Sequence, residues 1–287
     1  MRNHGAFYCP VCLLGWSASE DVLNTLLENG LITEDQFNQI PGRISGTDSL
    51  NQVVQGATFI VECIPEDLDL KIKLFQVLGD MCSADIVLAT NTSGLSPSMI
   101  ARNTRHPERT VATHFWNPAH LIPLVEVLRG EFTNDKTFVR AMNLMKTMNK
   151  KPIEVKKEVP GLVGNRLQFA LFREAQYLLQ EGIASKEDID AAVTYSIGRR
   201  LPVTGPLLSA DMGGLDVFAS ISDYLFKDLS NAEHSFPILK DLISQHHYGE
   251  KNGEGYYLWE KKFSELMHQK REEQLIRFLK EDILENK

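Results

Sequence analysis

Residues 10–157 alternate short strand-like runs with helical ones, and this alternation limits the fold more than any other feature of the chain. "PVCLLGW" (10–16) reads as a buried strand. "SASEDVLNTLLENG" follows as a helix, with Ser17 and Glu20 spaced as a capping box and Gly30 as a stop. "ATFIVECIP" (57–65) is a second strand, and "EDLDLKIKLFQVLGDMC" (66–82) an amphipathic helix with acidic residues at its start. "ADIVLATNTS" (84–93) is a third strand ending in a turn; "RTVATHFW" and "PLVEVLRG" are two more. "NDKTFVRAMNLMKTMN" is a helix, and "KPIEVKK" (151–157) closes the series. Strands spaced by helices imply βαβ units and a mainly parallel sheet covered on both faces.

After Pro160 the texture changes. "GLVGNRLQFALFREAQYLLQEG" is one long helical pattern, and "SKEDIDAAVTYSIG" is another with Ser185 as its cap. Further helical stretches follow, broken by "TGP", "MGG" and "GEKNGEG". We therefore divide the chain into an α/β domain (1–157) and an all-helical domain (158–287) that ends in a charged, solvated helical tail.

The composition is that of a soluble globular protein, with 43% hydrophobic and 24% charged residues in 287. No apolar run nears the ~20 residues that span a bilayer, so no membrane partner is expected. A net charge of -8 argues against nucleic acid as the main partner. The opening residues lack a signal-peptide pattern, and a cytoplasmic location is the default. Cys9 and Cys12 form a lone "CPVC"; no second Cys/His pair stands at ligand spacing, so no metal site is expected and structural thiols are favoured over a redox pair.

Ligands of a doubly wound sheet bind at the carboxyl ends of its strands. Asn91, Thr92 and Ser93 follow the strand "DIVLA", His114 follows "TVAT", and Glu126 lies in the next strand. A neutral imidazole exchanges a proton near pH 7. A carboxylate on its far nitrogen fixes the tautomer and stabilises the imidazolium, and a nearby hydroxyl donates to a developing oxyanion. That is the equipment for oxidising an alcohol. A lone strand His is, however, usually a satisfied structural residue, and a lone strand Glu often pairs with an Arg. Spacing alone leaves both readings open.

The ordered run "FIVECIPEDLDLKIKLF", "NTSGLS", "HFWNP", "PLVEV", "PGLVGNR", "GPLLSADMGGLDV" and "GEKNGEGYY" resembles the 3-hydroxyacyl-CoA dehydrogenase family over roughly residues 17–258. The resemblance implies a Rossmann-like α/β domain followed by an all-α dimerisation and substrate domain. It implies NAD as cofactor, a homodimer formed through the helical half, and interconversion of a 3-hydroxyacyl-CoA, or a related 3-hydroxy acid, with its 3-keto form. Carried over by position, His114 is the catalytic base, Glu126 its orienting partner, and Ser93 and Asn165 the groups that hydrogen-bond the reacting oxygen. Glu66 and Lys71 fall beside the nicotinamide ribose. Asn91, with Ser93, lies in the turn beside the nicotinamide.

The chain departs from the family at its start. None of its 19 glycines forms the G-x-G-x-x-G loop that cradles a dinucleotide pyrophosphate. The first recognisable strand, "PVCLLGW", matches the family's second, and Trp16 and Ser17 stand where an acidic residue would meet the adenosine ribose. Two explanations compete: an N-terminally truncated α/β domain, or a natural variant that has lost cofactor binding. Loss of the central strand would expose the edges of its neighbours and weaken this domain.

Overall fold

The structure, a computed structural model, describes residues 5–8 and 12–285. Its first half runs β1 (Gly5–Tyr8), α1 (Cys12–Glu28), α2 (Glu34–Gln39), β2 (Ile44–Thr47), α3 (Leu50–Val54), β3 (Phe59–Glu62), α4 (Leu68–Met81), β4 (Val87–Thr90), α5 (Pro97–Ala101), β5 (Thr110–Phe115), β6 (Leu124–Leu128), α6 (Asp135–Thr147) and β7 (Lys151–Val155). The helices start where the sequence supplies oxygen caps. The side chains of Asp67 and Asn134 accept the N–H groups of Leu70 and Thr137.

β3 to β7 form one sheet in sequence order, parallel at every junction except β5–β6. Successive strand side chains point to opposite faces. Val87 and Ala89 of β4 thus join Val111, Val125 and Val127 beneath Phe138, Ala141 and Met145 of α6. Leu88 faces the other way, against Phe75 and Leu78 of α4 and Ile100 of α5. β4 is buried along its whole length, as a strand between two helical layers must be.

The start of the chain differs from the sequence reading. Residues 12–16 of "PVCLLGW" belong to helix α1, not to a strand, and Ser17 lies within that helix rather than at its cap. A short apolar run has no period of its own, and no turn residue separates this one from the helical pattern that follows. The strand lies earlier: β1 pairs in parallel with β2 as a separate two-stranded sheet. Among the described residues no ladder joins that sheet to β3. β3 therefore ends the five-stranded sheet, and Val61 on it is 40% exposed. Cys9, and with it the "CPVC" pair, lies outside the described residues.

The second half comprises α7 (Gly164–Gln180), α8 (Lys186–Ala192), a π-helical turn, α9 (Gly198–Arg200), α10 (Pro206–Gly213), α11 (Leu215–Leu225), α12 (Pro237–Ser244) and α13 (Lys261–Glu285). Ser185 caps α8 by accepting from Asp188 N–H, as its sequence position suggests. The compact units are residues 1–165 with 270–287, and residues 166–269. The end of the charged tail thus groups with the first unit rather than with the helical one, and its Ile276 is buried. Among the described residues no helix is long and apolar enough to cross a membrane.

Gly79 in α4 tests the packing of this sheet-and-helix layer. Alanine in a helix interior normally gains about 1 kcal/mol over glycine. Here a Cβ would stand 2.8 Å from the backbone nitrogen of Arg105 and 2.9 Å from Thr104 Cγ2. We expect Gly79→Ala to lower stability by about 1–3 kcal/mol, as overpacking does. The check is the urea midpoint at constant slope; a higher midpoint would refute the close approach.

Candidate active site

The antiparallel register of β5 and β6 places His114 directly opposite Glu126. Val111, Val125 and Val127 lie in the α6 layer of the core. His114 and Glu126 have the opposite parity on their strands, so they share the other face of the sheet. His114 Nδ1 lies 2.8 Å from Glu126 Oε2, which leaves Nε2 as the ring nitrogen able to exchange a proton. His114 is 6% exposed and Glu126 is 0% exposed.

A carboxylate taken out of water needs donors, and Glu126 has four. The Trp116 indole N–H donates to Oε2 at 3.1 Å, and the backbone N–H groups of Val163 and Gly164 donate to Oε1 at 2.8 and 3.0 Å. The last two open helix α7, so Glu126 also satisfies a helix N-terminus. Two backbone features aim those groups. Leu162 is held at a φ of 51°, a left-handed conformation uncommon for leucine, while its side chain is buried against Ala112, Leu128 and Val155. At Gly164 any Cβ would stand 2.3 Å from Trp116 Cζ2, so only glycine lets the indole reach its carboxylate. Burial pushes the Glu126 pKa up, but the bonds from His114, Gly164, Val163 and Trp116 outweigh it and hold the pKa at about 2.

A second buried carboxylate underlies the neighbouring turn. Glu62, at the carboxyl end of β3, accepts from Lys71 Nζ at 2.7 Å and from the Thr90 hydroxyl at 2.7 Å. Lys71 is 1% exposed; its ammonium also reaches the Ile64 carbonyl at 3.2 Å and Glu66 Oε2 at 3.4 Å. Glu66 Oε1 in turn accepts from the Thr92 hydroxyl at 2.6 Å and from the backbone N–H groups of Ser93 and Gly94 at 2.9 and 3.2 Å. Partial burial raises the Glu66 pKa, but the Thr92, Ser93 and Lys71 interactions overcome this and leave it lowered. Both Lys71 and Glu66 are thus committed to protein groups that fix the turn after β4.

The other sequence candidates lie on the same edge. Asn91 Oδ1 accepts from the Phe115 N–H at 2.9 Å, next to His114. Asn165 Nδ2 reaches the Ser93 carbonyl at 3.5 Å, and the Ser93 side chain is exposed. Contacts therefore run without a break from Ser93 through Asn165 and Gly164 to Glu126 and His114. The sequence reading missed Glu62, Trp116, Val163 and Gly164 as members of the site. Glu62 is the residue that ends its strand, and Trp116 lies in the quoted "HFWNP"; the two backbone N–H groups leave no side-chain trace.

The fold and these contacts define a doubly wound α/β protein with a buried histidine–carboxylate pair at the carboxyl edge of its sheet. Residues 14–159 match the family model of the 3-hydroxyacyl-CoA dehydrogenase NAD binding domain, and residues 161–259 match that of the C-terminal domain of the same enzymes. The chain belongs to the 3-hydroxyacyl-CoA dehydrogenase family. It is 34% identical to a 3-hydroxybutyryl-CoA dehydrogenase of Clostridioides difficile, over 83% of this chain and 84% of the relative. It is also 34% identical to the 5-formyl-3-hydroxy-2-methylpyridine 4-carboxylate 5-dehydrogenase of Mesorhizobium japonicum, over 82% of this chain and 76% of the relative. A crystal structure of an NAD+-dependent enzyme of that latter name superposes with a TM-score of 0.85 at 30% identity, covering 96% of this chain and 89% of that one. The (S)-3-hydroxybutyryl-CoA dehydrogenase of Ralstonia eutropha superposes with a TM-score of 0.70, covering 87% of each chain.

NAD is the cofactor of this family. At the carboxyl end of β4, the turn at Ser93 and Gly94 is held by Glu66 and leaves both residues exposed. The pyrophosphate half has no G-x-G-x-x-G loop to meet it anywhere in the sequence.

The depressed pKa of Glu126 makes an acid-stability prediction. A carboxyl group whose folded pKa lies below its unfolded value stabilises the fold above that unfolded value, and the contribution is lost as pH falls through the folded one. Between the ordinary 4.5 and about 2, the loss is on the order of 3 kcal/mol. Urea midpoints of the wild type should fall across this window more steeply than those of Glu126→Gln. Parallel slopes would remove the four-donor carboxylate as a source of stability.

Proposed function

We propose that this chain interconverts a 3-hydroxyacyl-CoA, or a related 3-hydroxy acid, with its 3-keto form, with His114 as general base and acid. The buried His114–Glu126 pair carries the reading. NAD, when bound, takes up or returns the hydride. In the oxidising direction His114 Nε2 removes the hydroxyl proton; Glu126 holds Nδ1 and balances the charge that then develops on the ring. In the reducing direction the same nitrogen returns a proton to the oxygen. The exposed hydroxyl of Ser93 and the amide of Asn165 hydrogen-bond that oxygen. Asn91 fixes the backbone beside His114, while Glu66 and Lys71 keep the turn under the nicotinamide ribose rigid.

The test is NADH absorbance with acetoacetyl-CoA, wild type against His114→Ala. A general base contributes roughly 10²–10⁴-fold, and a loss of that size is expected; equal rates would sink the assignment. A second reading follows from the β1–β2 sheet, which stands apart from the five-stranded one: a family member that keeps fold and dimerisation but not catalysis. Calorimetric titration with NAD separates the two, since the first requires saturable heat and the second none.

We further propose that the helical half forms a homodimer. α10 and α11 bury none of their residues within the chain, and Leu207, Met212 and Leu208 are 84%, 74% and 53% exposed. Apolar surface on this scale belongs to an interface. Sedimentation should give a dimer, and Leu207→Glu should shift it to monomer with the helical content unchanged. A wild-type monomer at micromolar concentration would overturn this.

A further inference from the structure

His114 and Trp116 stand two residues apart where β5 runs out, so extended chain sends their side chains to the same side. Their ring centroids are 6.0 Å apart, with the planes tilted by 59°. Both rings meet the same atom. Glu126 Oε2 lies 2.8 Å from His114 Nδ1 and 3.1 Å from Trp116 Nε1. Glu126 is ionised near neutral pH, its pKa held at about 2, so both ring nitrogens that face it are donors. The backbone N–H groups of Val163 and Gly164 serve the other oxygen, Oε1. One oxygen of the carboxylate is therefore fixed by backbone, and the other is shared between two rings.

The sharing has a chemical consequence. The positive end of the indole N–H dipole rests on the oxygen that would balance a protonated imidazole. It offsets part of the negative charge there and weakens the hold of Oε2 on the protonated ring. No other charge competes for that part. β5 carries no titratable side chain besides His114, β6 carries none besides Glu126, and Val163 and Gly164 have none. Glu66, which holds the turn after β4, is paired with Lys71 at 3.4 Å. The indole also depends on the head of α7. A Cβ at position 164 would stand 2.3 Å from Trp116 Cζ2 and 3.0 Å from Cε2.

We propose that Trp116 is a positioning residue for proton transfer at His114: by sharing Glu126 Oε2 it loosens the imidazole's grip on the proton that Nε2 takes and returns, and this rests on His114 acting as general base and acid. The indole itself makes and breaks no bond. Gly164 leaves the room in which it reaches the carboxylate.

The experiment uses the full-length protein with nitrogen-labelled histidine and tryptophan, without substrate or cofactor. In the wild type the Trp116 indole N–H signal should change over the same pH range as the His114 ring signals, because the two donors share one atom. In Trp116→Phe, His114 should keep its proton to a pH about half a unit higher than in the wild type, the size of one ordinary hydrogen bond. Gly164→Ala, which pushes the indole away, should give the same displacement, and the double variant no further one. An indole signal that ignores the His114 titration overturns the proposal, and so does a His114 titration that is the same in the wild type and in Trp116→Phe. The wild-type signal decides the matter even if neither variant folds. With acetoacetyl-CoA and NADH, the pH–rate profile of Trp116→Phe should move upward by the same amount, since ketone reduction uses the protonated ring. If His114 responds but the profile stays in place, the role of His114 in the reaction fails, and the catalytic part of this proposal with it. An unresponsive His114 overturns the proposal and leaves that role intact.

Discussion

A fully buried carboxylate organises the α/β unit. Glu126 lies in the central part of a sheet, where an ion without partners would not survive desolvation. Its four donors come from the facing strand, from the tryptophan just past that strand, and from two consecutive N–H groups at the start of a helix. Each contribution demands a particular local geometry. The antiparallel β5–β6 register must hold, the chain around Leu162 must turn through a left-handed residue, and position 164 must lack a side chain. A slip of one residue in the register would carry Glu126 to the α6 face of the sheet, among valines.

The turn that follows β4 is held by the same kind of arrangement. Lys71 joins one buried carboxylate, Glu62, to a second and more exposed one, Glu66, and Glu66 collects the hydroxyl and amide groups of residues 92–94. The charges are thereby spent on fixing backbone. What the turn turns outward is its small groups, the Ser93 hydroxyl and the backbone of Gly94. Rigidity and exposure are thus divided between neighbouring residues: the ionised ones hold the backbone, and the neutral ones face outward.

The division of labour along the chain follows from burial. β4 and β5 are sealed on both faces and supply the rigid platform, whereas β3 has helix cover but no strand partner on its outer side among the described residues. In the helical unit the balance is reversed, with α10 and α11 leaving their large apolar side chains outside. Such surface is stable only when something covers it.

Much of this was legible in the sequence. The alternation of strands and helices after residue 57 and the cap at Ser185 are local properties, and local physics fixes them. The apolar run at 12–16 was not legible, because a run without period suits a strand or a helix equally and its neighbours decide. Nor could the sequence reveal that Glu62 is buried beneath Lys71, or that the N–H groups of Val163 and Gly164 complete the shell around Glu126. Those groups are brought together over dozens of residues of chain. A backbone N–H is present at every position except proline, so only the tertiary structure determines which of them a buried charge will meet.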